Sequence, residues 1–304
     1  MNRIMNSIKM GALCDALGEP LEFKTNDFDN VIYDDYKITD DTQMTLFVME
    51  GLTQGNVKKA LLEWYCTQSY GNDINNPMCW FYKDKRMHKQ MAPGLTCLSS
   101  LEELYYNNER EENDSKGNGA LIRSAPYGML NCDSVEAYEK AYKDSLITHD
   151  HYYSAVSSGI FAFMINLILK EKISIKEATK RGIEYLKEIE NTEEIIKLLE
   201  SALYLSNNPD KNPYDSLGEG WVAEECLAIA VYSALFYEKT KDLNKAIKLA
   251  IHHKGDSDST GAVFGNLVGL FLNEVTEKTN CNDIIVKVVN NFCEKLKKKK
   301  HKDR

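Results

Sequence analysis

The chain has 304 residues and a formal net charge of −9, and its 43% hydrophobic and 27% charged residues are typical of a soluble globular protein. The last ten residues hold seven Lys or Arg and one Asp, which gives them +6 and leaves −15 on residues 1–294. A body of that charge repels nucleic acid, so we expect no nucleic-acid partner. We interpret residues 1–294 as one helical domain and residues 295–304 as a solvated basic tail.

The eight cysteines form no C-x-x-C pair and no cluster. Such spacing predicts neither a zinc site nor a disulfide framework, and it is typical of reduced thiols in a reducing compartment. Residues 1–18 lack the apolar core of a signal peptide, and the longest apolar run, residues 159–169, is shorter than the ~18 residues of a membrane span. We therefore expect a cytoplasmic protein without a membrane partner.

Apolar residues recur at helical rather than strand spacing from end to end. The first helix begins near Ile4 and should end at Gly18-Glu-Pro20, a glycine followed by a proline. Further helices are predicted over residues 39–49, 56–69, 95–108, 133–149, 152–169, 174–188, 191–206, from 221 to about 238, 242–252, behind residue 258 to about 272, and from about 281. Residues 26–37, 70–94 and 107–119 are predicted loops. The expected fold class is all-α, with a dozen or so helices around one or two that are apolar nearly all round.

Two acidic segments, Thr39-Asp40-Asp41 and Asp256-Ser-Asp258-Ser259, each precede an apolar helix. Both have a simple structural interpretation, because such residues are good N-caps and acids favour a helix N-terminus. A cap does not require a second carboxylate beside it, and burying carboxylates is costly unless they are paired or bind a metal. Oxygen ligands favour Mg²⁺ or Mn²⁺ over zinc. If the segments face each other, their four carboxylates suffice for two ions. Glycines between residues 255 and 269 also predict a close backbone approach to a neighbouring element.

Two weaker motifs lie between the acidic segments. Gly117-Asn-Gly119 follows a polar loop and opens an apolar run, so it can be an ordinary turn or a backbone cradle for phosphate. His149 lies at a helix junction, where either a structural or a catalytic role fits. The step His149-Asp150 also matches the metal-binding His-Asp pair of all-helical phosphohydrolases. That class needs further upstream histidines, however, and only His88 precedes the pair.

In their order along nearly the whole chain, these segments resemble the ADP-ribosylglycohydrolase family, which includes the dinitrogenase-reductase-activating glycohydrolases. The matching segments are Gly11-Ala-Leu-Cys-Asp-Ala-Leu-Gly-Glu-Pro-Leu-Glu22, Thr39-Asp-Asp-Thr42, Ala92-Pro-Gly94, Gly117-Asn-Gly-Ala-Leu-Ile-Arg-Ser-Ala-Pro126, Thr148-His149, Leu217-Gly-Glu-Gly-Trp-Val-Ala-Glu224 and Asp256-Ser-Asp-Ser-Thr260. Each segment alone is a modest signal, whereas the ordered set is specific. The departures from the family pattern are Cys14, Ile122, Lys254 and Ser259, and none of them removes a ligand.

The resemblance implies a compact all-α orthogonal bundle with a binuclear Mg²⁺ or Mn²⁺ centre. The ligands that it implies are Thr39, Asp40, Asp41, Asp256, Asp258 and Ser259. Glu22 matches a glutamate with an acid/base role, and we assign Asp258 to catalysis as well. The ADP-ribose contacts that it implies are Gly117, Asn118, Gly119, His149 and Gly218.

The implied activity is hydrolysis of the N- or O-glycosidic bond between ADP-ribose and an acceptor, with release of ADP-ribose. The expected partner is an ADP-ribosylated protein, modified on arginine, serine or another side chain, or a small ADP-ribosylated molecule, and we expect a monomer. The alternatives are a catalytically silent ADP-ribose-binding or structural relative and a His-Asp phosphohydrolase. Recognition of the acceptor is expected on the loops at 70–93 and 107–116, so the motifs do not specify the linkage.

Overall fold

The computed structural model describes residues 2–24, 36–68, 71, 73–208 and 213–302, with side chains through residue 298. The predicted loop at 26–37 lies outside the described residues except for its last two. The described residues form fourteen α-helices and no strand, which confirms the all-α prediction. The helices are α1 (Asn2–Gly18), α2 (Asp40–Gln54), α3 (Val57–Thr67), α4 (Leu95–Asn107), α5 (Ala125–Gly128), α6 (Ser134–Ser145), α7 (Tyr152–Glu171), α8 (Ile175–Leu186), α9 (Glu193–Asn207), α10 (Tyr214–Leu217), α11 (Ala223–Thr240), α12 (Leu243–Ile251), α13 (Ser257–Val268) and α14 (Asn282–Lys302).

Several helix boundaries differ from the predicted ones. The four-residue helices α5 and α10 are not among the predicted helices, because segments this short carry no repeating apolar pattern. Pro126 is tolerated in α5 because it lies in the first helical turn. Helix α6 ends at Ser145, and the chain then turns so that the backbone N–H of His149 donates to the Ser145 carbonyl at 2.8 Å. The boundary predicted between residues 294 and 295 lies within α14, which continues to Lys302.

The two central helices are α7 and α11, whose side chains are buried along most of their lengths. Helix α7 has the length and hydropathy of a membrane span, but 83% of its apolar window is buried inside the fold. Packing on every side therefore accounts for its composition, as the sequence pattern predicts. The eight cysteines are free thiols, in keeping with their spacing.

Helices α1 and α13 pack with their backbones nearly in contact. A Cβ atom added at Gly265 would lie 2.3 Å from the carbonyl oxygen of Met10, and one at Gly18 would lie 2.5 Å from the Cα of Asp258. Both positions therefore require glycine. This is the close approach that the glycines of residues 255–269 predict. It sets the C-terminal end of α1 directly against the first turn of α13.

Candidate active site

The N-termini of α2 and α13 meet at the wall of a cavity of about 420 Å³. Asp40 and Asp41 come from α2, Asp256 and Asp258 come from the start of α13, and all four line the cavity together with Glu22. Carboxylate oxygens of Glu22, Asp256 and Asp258 lie within 4.8 Å of one another. The structure thus brings together the two acidic segments that lie far apart in the sequence.

The side chain of Asp15 stabilises the first turn of α2 by hydrogen bonds. Its carboxylate accepts hydrogen bonds from the backbone N–H of Thr39 at 3.1 Å, from that of Thr42 at 3.3 Å, and from the Thr42 hydroxyl. The Thr39 hydroxyl accepts from the backbone N–H of Asp41 at 3.2 Å, so it caps α2. Thr39 is fully buried and does not line the cavity. Asp15 is not among the predicted site residues, although a carboxylate between the apolar residues of α1 is the signal that could have indicated its role.

The first turn of α13 is fixed by a similar set of contacts. Asp256 caps the helix by accepting from the backbone N–H of Ser259 at 3.2 Å, and its own N–H donates to the Glu219 carbonyl at 2.9 Å. Asp258 also accepts from the Ser259 N–H, at 2.9 Å. A Cβ at Gly255 would lie 1.6 Å from the Glu219 oxygen, so glycine is required there. Ser259, a predicted ligand, lines the cavity beside these carboxylates.

The carboxylates of the cluster repel one another. Burial raises the pKa of Asp40, Asp41 and Asp258 well above the usual range, and neighbouring carboxylates raise it further. Burial, followed by the charge of Asp256, raises the pKa of Glu22 to about 8. Among the described residues, no Lys or Arg lines the cavity to offset this charge.

A hard divalent cation fits this arrangement. The Oδ2 atom of Asp41 is buried and has no hydrogen-bond partner among the described residues. A buried, unpaired carboxylate oxygen is costly unless a cation satisfies it. Carboxylate and hydroxyl oxygens are the donors that Mg²⁺ and Mn²⁺ prefer, and the donor set of the cluster matches that preference.

A second wall of the cavity is formed by the turn from Gly117 to Gly119 and by the ring of His149. A Cβ at Gly117 would lie 3.1 Å from His149 Nε2, and one at Gly119 would lie 2.7 Å from Cys97 Sγ. The lack of side chains at these positions therefore lets the backbone lie against the ring and the thiol. A hydrogen bond of 2.9 Å anchors the turn. The backbone N–H of Ala223 donates it to the carbonyl oxygen of Lys116, the residue that precedes the turn. The predicted residues Gly117, Asn118, Gly119 and His149 all line the cavity.

The loop that precedes α11 reaches the cavity through a residue other than the predicted Gly218. Gly218 does not line the cavity, and its φ of +87° lets the chain fold back onto Glu225. The Glu225 carboxylate accepts from the backbone N–H groups of Glu219 and Gly220 at 3.0 and 3.2 Å. The loop residue that reaches the cavity is Trp221.

Aromatic residues lie at the exposed edge of the cavity. Phe23 and Trp221 are stacked, with ring centroids 5.2 Å apart and an interplanar angle of 24°. Phe23 adopts a positive φ of 64°, which is uncommon for a residue other than glycine. Phe23 is not among the predicted site residues, although it directly follows Glu22, and Trp221 lies within the matched segment from Leu217 to Glu224 without a predicted role.

Asp150 is not part of the cavity wall, whereas His149 is. Both Asp150 oxygens are engaged by Arg110, at 2.5 and 2.6 Å, and one also accepts from the backbone N–H of Asn113 at 2.9 Å. The His149-Asp150 step therefore does not present two side chains to one site. This geometry offers no support to the phosphohydrolase alternative.

Comparisons with known proteins agree with this geometry. The family model described as ADP-ribosylglycohydrolase matches residues 1–278. A solved structure described as "ADP-ribosylglycohydrolase-related protein complex" is similar, with a TM-score of 0.66 and 16% identity over 97% of this chain and 100% of that chain, which shows a shared fold. A search of curated proteins found no match. The family resemblance of the ordered motifs is confirmed, and the chain belongs to the ADP-ribosylglycohydrolase family.

Proposed function

We propose that the protein is a metal-dependent hydrolase that cleaves the N- or O-glycosidic bond between ADP-ribose and an acceptor and releases free ADP-ribose. Membership of the family supports a glycosidase-type hydrolase in general. The observation that carries the finer proposal is the convergence of Asp40, Asp41, Asp256 and Asp258 at a cavity whose second wall is the turn at Gly117. An acidic cluster and a glycine turn that lines the cavity suit the two ends of a ribosyl diphosphate.

Two divalent cations, Mg²⁺ or Mn²⁺, would be held by the four aspartates and the Ser259 hydroxyl. Thr39, a predicted ligand that does not line the cavity, would support them by capping the first turn of α2. Two observations support this assignment. Asp41 Oδ2 is buried without a hydrogen-bond partner among the described residues, and none of the described lining residues is Lys or Arg. When bound, such cations orient ribose hydroxyls and a water molecule and stabilise negative charge.

Glu22, Asp258 and the turn at 117–119 would act directly on the substrate. Glu22 is half-buried at the edge of the cluster, within 4.8 Å of Asp256 and Asp258 by its nearest oxygen, so it can exchange a proton with a water or a leaving group. Asp258 would stabilise the positive charge that develops on the ribose when the acceptor departs. The turn at 117–119 would bind the diphosphate, and this binding energy would hold the anomeric carbon in place.

The test measures free ADP-ribose after incubation with arginine-linked and serine-linked ADP-ribosyl peptides and divalent metal. We expect release that stops with a chelator and falls at least ~100-fold in Asp258→Asn. The matched control is Asp242→Asn, because Asp242 is the exposed N-cap of α12 and asparagine is an equally good cap. Release that persists with chelator or in Asp258→Asn would contradict the proposal. Binding of ADP-ribose without turnover on any linkage would instead indicate a catalytically silent relative.

A further inference from the structure

Arg123 lies behind the second wall of the cavity and is fully buried. Its Nε donates to Asp144 Oδ2 at 3.1 Å, and the Asp144 side chain is only 4% exposed. A buried guanidinium is costly unless its charge is paired and its donors are satisfied. The hydrogen-bond partners of the two Nη atoms therefore show how the Arg123 side chain is positioned and which groups it positions.

The two Nη atoms of Arg123 contact the glycine turn and Thr148, the residue that precedes His149. Nη1 donates to the carbonyl oxygen of Gly119 at 3.1 Å, and Nη2 donates to the hydroxyl of Thr148 at 2.9 Å. The Thr148 hydroxyl lies 2.8 Å from Nδ1 of His149. One buried side chain thus fixes the glycine turn directly and the imidazole through a single hydroxyl.

This chain of contacts favours one tautomer of His149. Because the Thr148 oxygen accepts a hydrogen bond from Arg123, its own proton is available for His149 Nδ1. The positive charge on the same side also favours a lone pair rather than a proton at Nδ1. Burial, with the charges of Arg123 and Arg110, lowers the pKa of His149 to about 3, so the ring is neutral. A neutral imidazole with a lone pair at Nδ1 carries its proton on Nε2.

The Nε2 atom of His149 lies next to the glycine turn that lines the cavity. It has no hydrogen-bond partner among the residues that the structure describes, and it lies against the turn, since a Cβ at Gly117 would be 3.1 Å away. His149 itself lines the cavity. A donor in this position suits an oxygen of a bound ligand.

We propose that Arg123 is a positioning residue which, through Thr148, holds His149 in the Nε2–H tautomer and thereby provides a hydrogen-bond donor for a diphosphate oxygen of ADP-ribose. The identity of the ligand rests on the proposed function. The tautomer and its dependence on Thr148 do not, so the two can be tested separately.

The first experiment reads the tautomer directly, by ¹⁵N NMR of the histidine rings without ligand, with His149→Gln identifying the signal. We expect Nε2 to be protonated and Nδ1 to be unprotonated in the wild type. Thr148→Val should shift the Nδ1 signal to that of an unprotonated nitrogen without a hydrogen bond, and Thr148→Ser should restore the wild-type spectrum. Protonation of Nδ1 in the wild type, or no change in Thr148→Val, would overturn the proposal.

The second experiment measures ADP-ribose binding by calorimetry. We expect Thr148→Val to weaken binding by about tenfold, the effect of one lost hydrogen bond, and Thr148→Ser to stay close to the wild type. The control is Thr179→Val, because Thr179 is an equally buried threonine that donates to the Ile175 carbonyl within α8. An equal loss in both valine variants would overturn the positioning role. If the wild type does not bind ADP-ribose, the proposed function fails, whereas the NMR result still decides the tautomer.

A turnover measurement separates positioning from general damage. Because the Nε2–H group contacts the bound diphosphate rather than the reacting carbon, Thr148→Val should raise KM by about tenfold and change kcat much less. A fall in kcat with unchanged KM would contradict the assignment. Thermal unfolding of each variant establishes that the comparison is made between folded proteins.

Discussion

Asn118 joins the glycine turn to the acidic cluster, because its Nδ2 atom donates to Asp256 Oδ2 at 2.8 Å. The same amide nitrogen donates to the carbonyl oxygen of Gly220, also at 2.8 Å. One side chain therefore links the turn, the cluster and the loop that precedes α11. Its two donors cannot be replaced by a group that only accepts hydrogen bonds.

We expect Asn118→Asp to lower the free energy of unfolding by about 3 kcal/mol without added metal, because it places a carboxylate against Asp256 and removes two donors. Urea unfolding measures the change. The control is Asn244→Asp on the exposed part of α12, which should change stability by less than about 0.5 kcal/mol. Addition of Mg²⁺ or Mn²⁺ should recover part of the loss in Asn118→Asp. An Asn118→Asp protein as stable as the wild type would show that the two hydrogen bonds of Asn118 contribute little to the free energy of unfolding.

We expect Asp41→Asn to stabilise the metal-free protein by about 1–2 kcal/mol, because it removes one negative charge from a buried cluster of repelling carboxylates. The same substitution should reduce the stabilisation by metal, which for the wild type amounts to about 2.7 kcal/mol at 100 times Kd. Thermal unfolding with and without Mn²⁺ gives both quantities. Asp242→Asn should leave both unchanged, since Asp242 lies on the surface. Equal metal-induced shifts in Asp41→Asn and the wild type would contradict the ligand assignment.

Two glycine-to-alanine substitutions should have opposite effects. Gly265→Ala should destabilise the protein by about 3 kcal/mol, because its Cβ would lie 2.3 Å from the Met10 carbonyl oxygen. Gly182→Ala, within α8, should stabilise it by about 0.5–1 kcal/mol, because the nearest atoms would be at 3.4 Å and alanine is the better helix former. Denaturant unfolding of both variants tests the pair. A neutral Gly265→Ala would mean that α1 and α13 can separate at little cost.

His253 should make stability depend on pH. Its Nδ1 accepts from the backbone N–H of Gly255 at 3.2 Å, and its Nε2 lies 2.8 Å from the Thr260 hydroxyl and 3.0 Å from the Ala250 carbonyl. Burial lowers its pKa to about 4, and this effect outweighs the raising effect of the Ala250 carbonyl.

Other charges around this ring act in both directions. The carboxylates of Asp256 and Glu219 raise the pKa of His253, whereas His252 lowers it. Because the folded-state pKa lies below the unfolded value of about 6.5, the unfolded chain takes up the proton first as pH falls. The contribution of His253 is therefore complete above about pH 6.5 and is lost progressively toward pH 4.

Between pH 6.5 and pH 5, the wild type should lose about 2 kcal/mol relative to His253→Asn. The measurement compares the free energies of unfolding of the wild type and the variant. The buried carboxylates stabilise both proteins as the pH falls, so their effect does not enter the difference. Urea unfolding at the two pH values provides it. A constant difference between wild type and variant would show that His253 titrates normally in the folded protein.

Local patterns predicted most of the helices, because caps and apolar spacing are properties of short stretches. The meeting of the two acidic segments was implied by the family resemblance, which rests on the order of the motifs along the chain. The role of Asp15 could not be predicted in the same way, since its partners Thr39 and Thr42 lie 24 and 27 positions away. The position of Gly218 depends on a positive φ and on Glu225, neither of which the motif specifies. The assignment of ligand roles to individual residues stays a prediction.

Packing α1 against α13 joins the beginning of the chain to a segment near its end. Because Asp256 and Asp258 are translated long after Asp40 and Asp41, a nascent chain that stops before residue 256 lacks two of the five clustered carboxylates and the helix that packs against α1. Long-range closure of this kind costs loop entropy and slows folding. The site should therefore acquire its native form only after α13 has been synthesised.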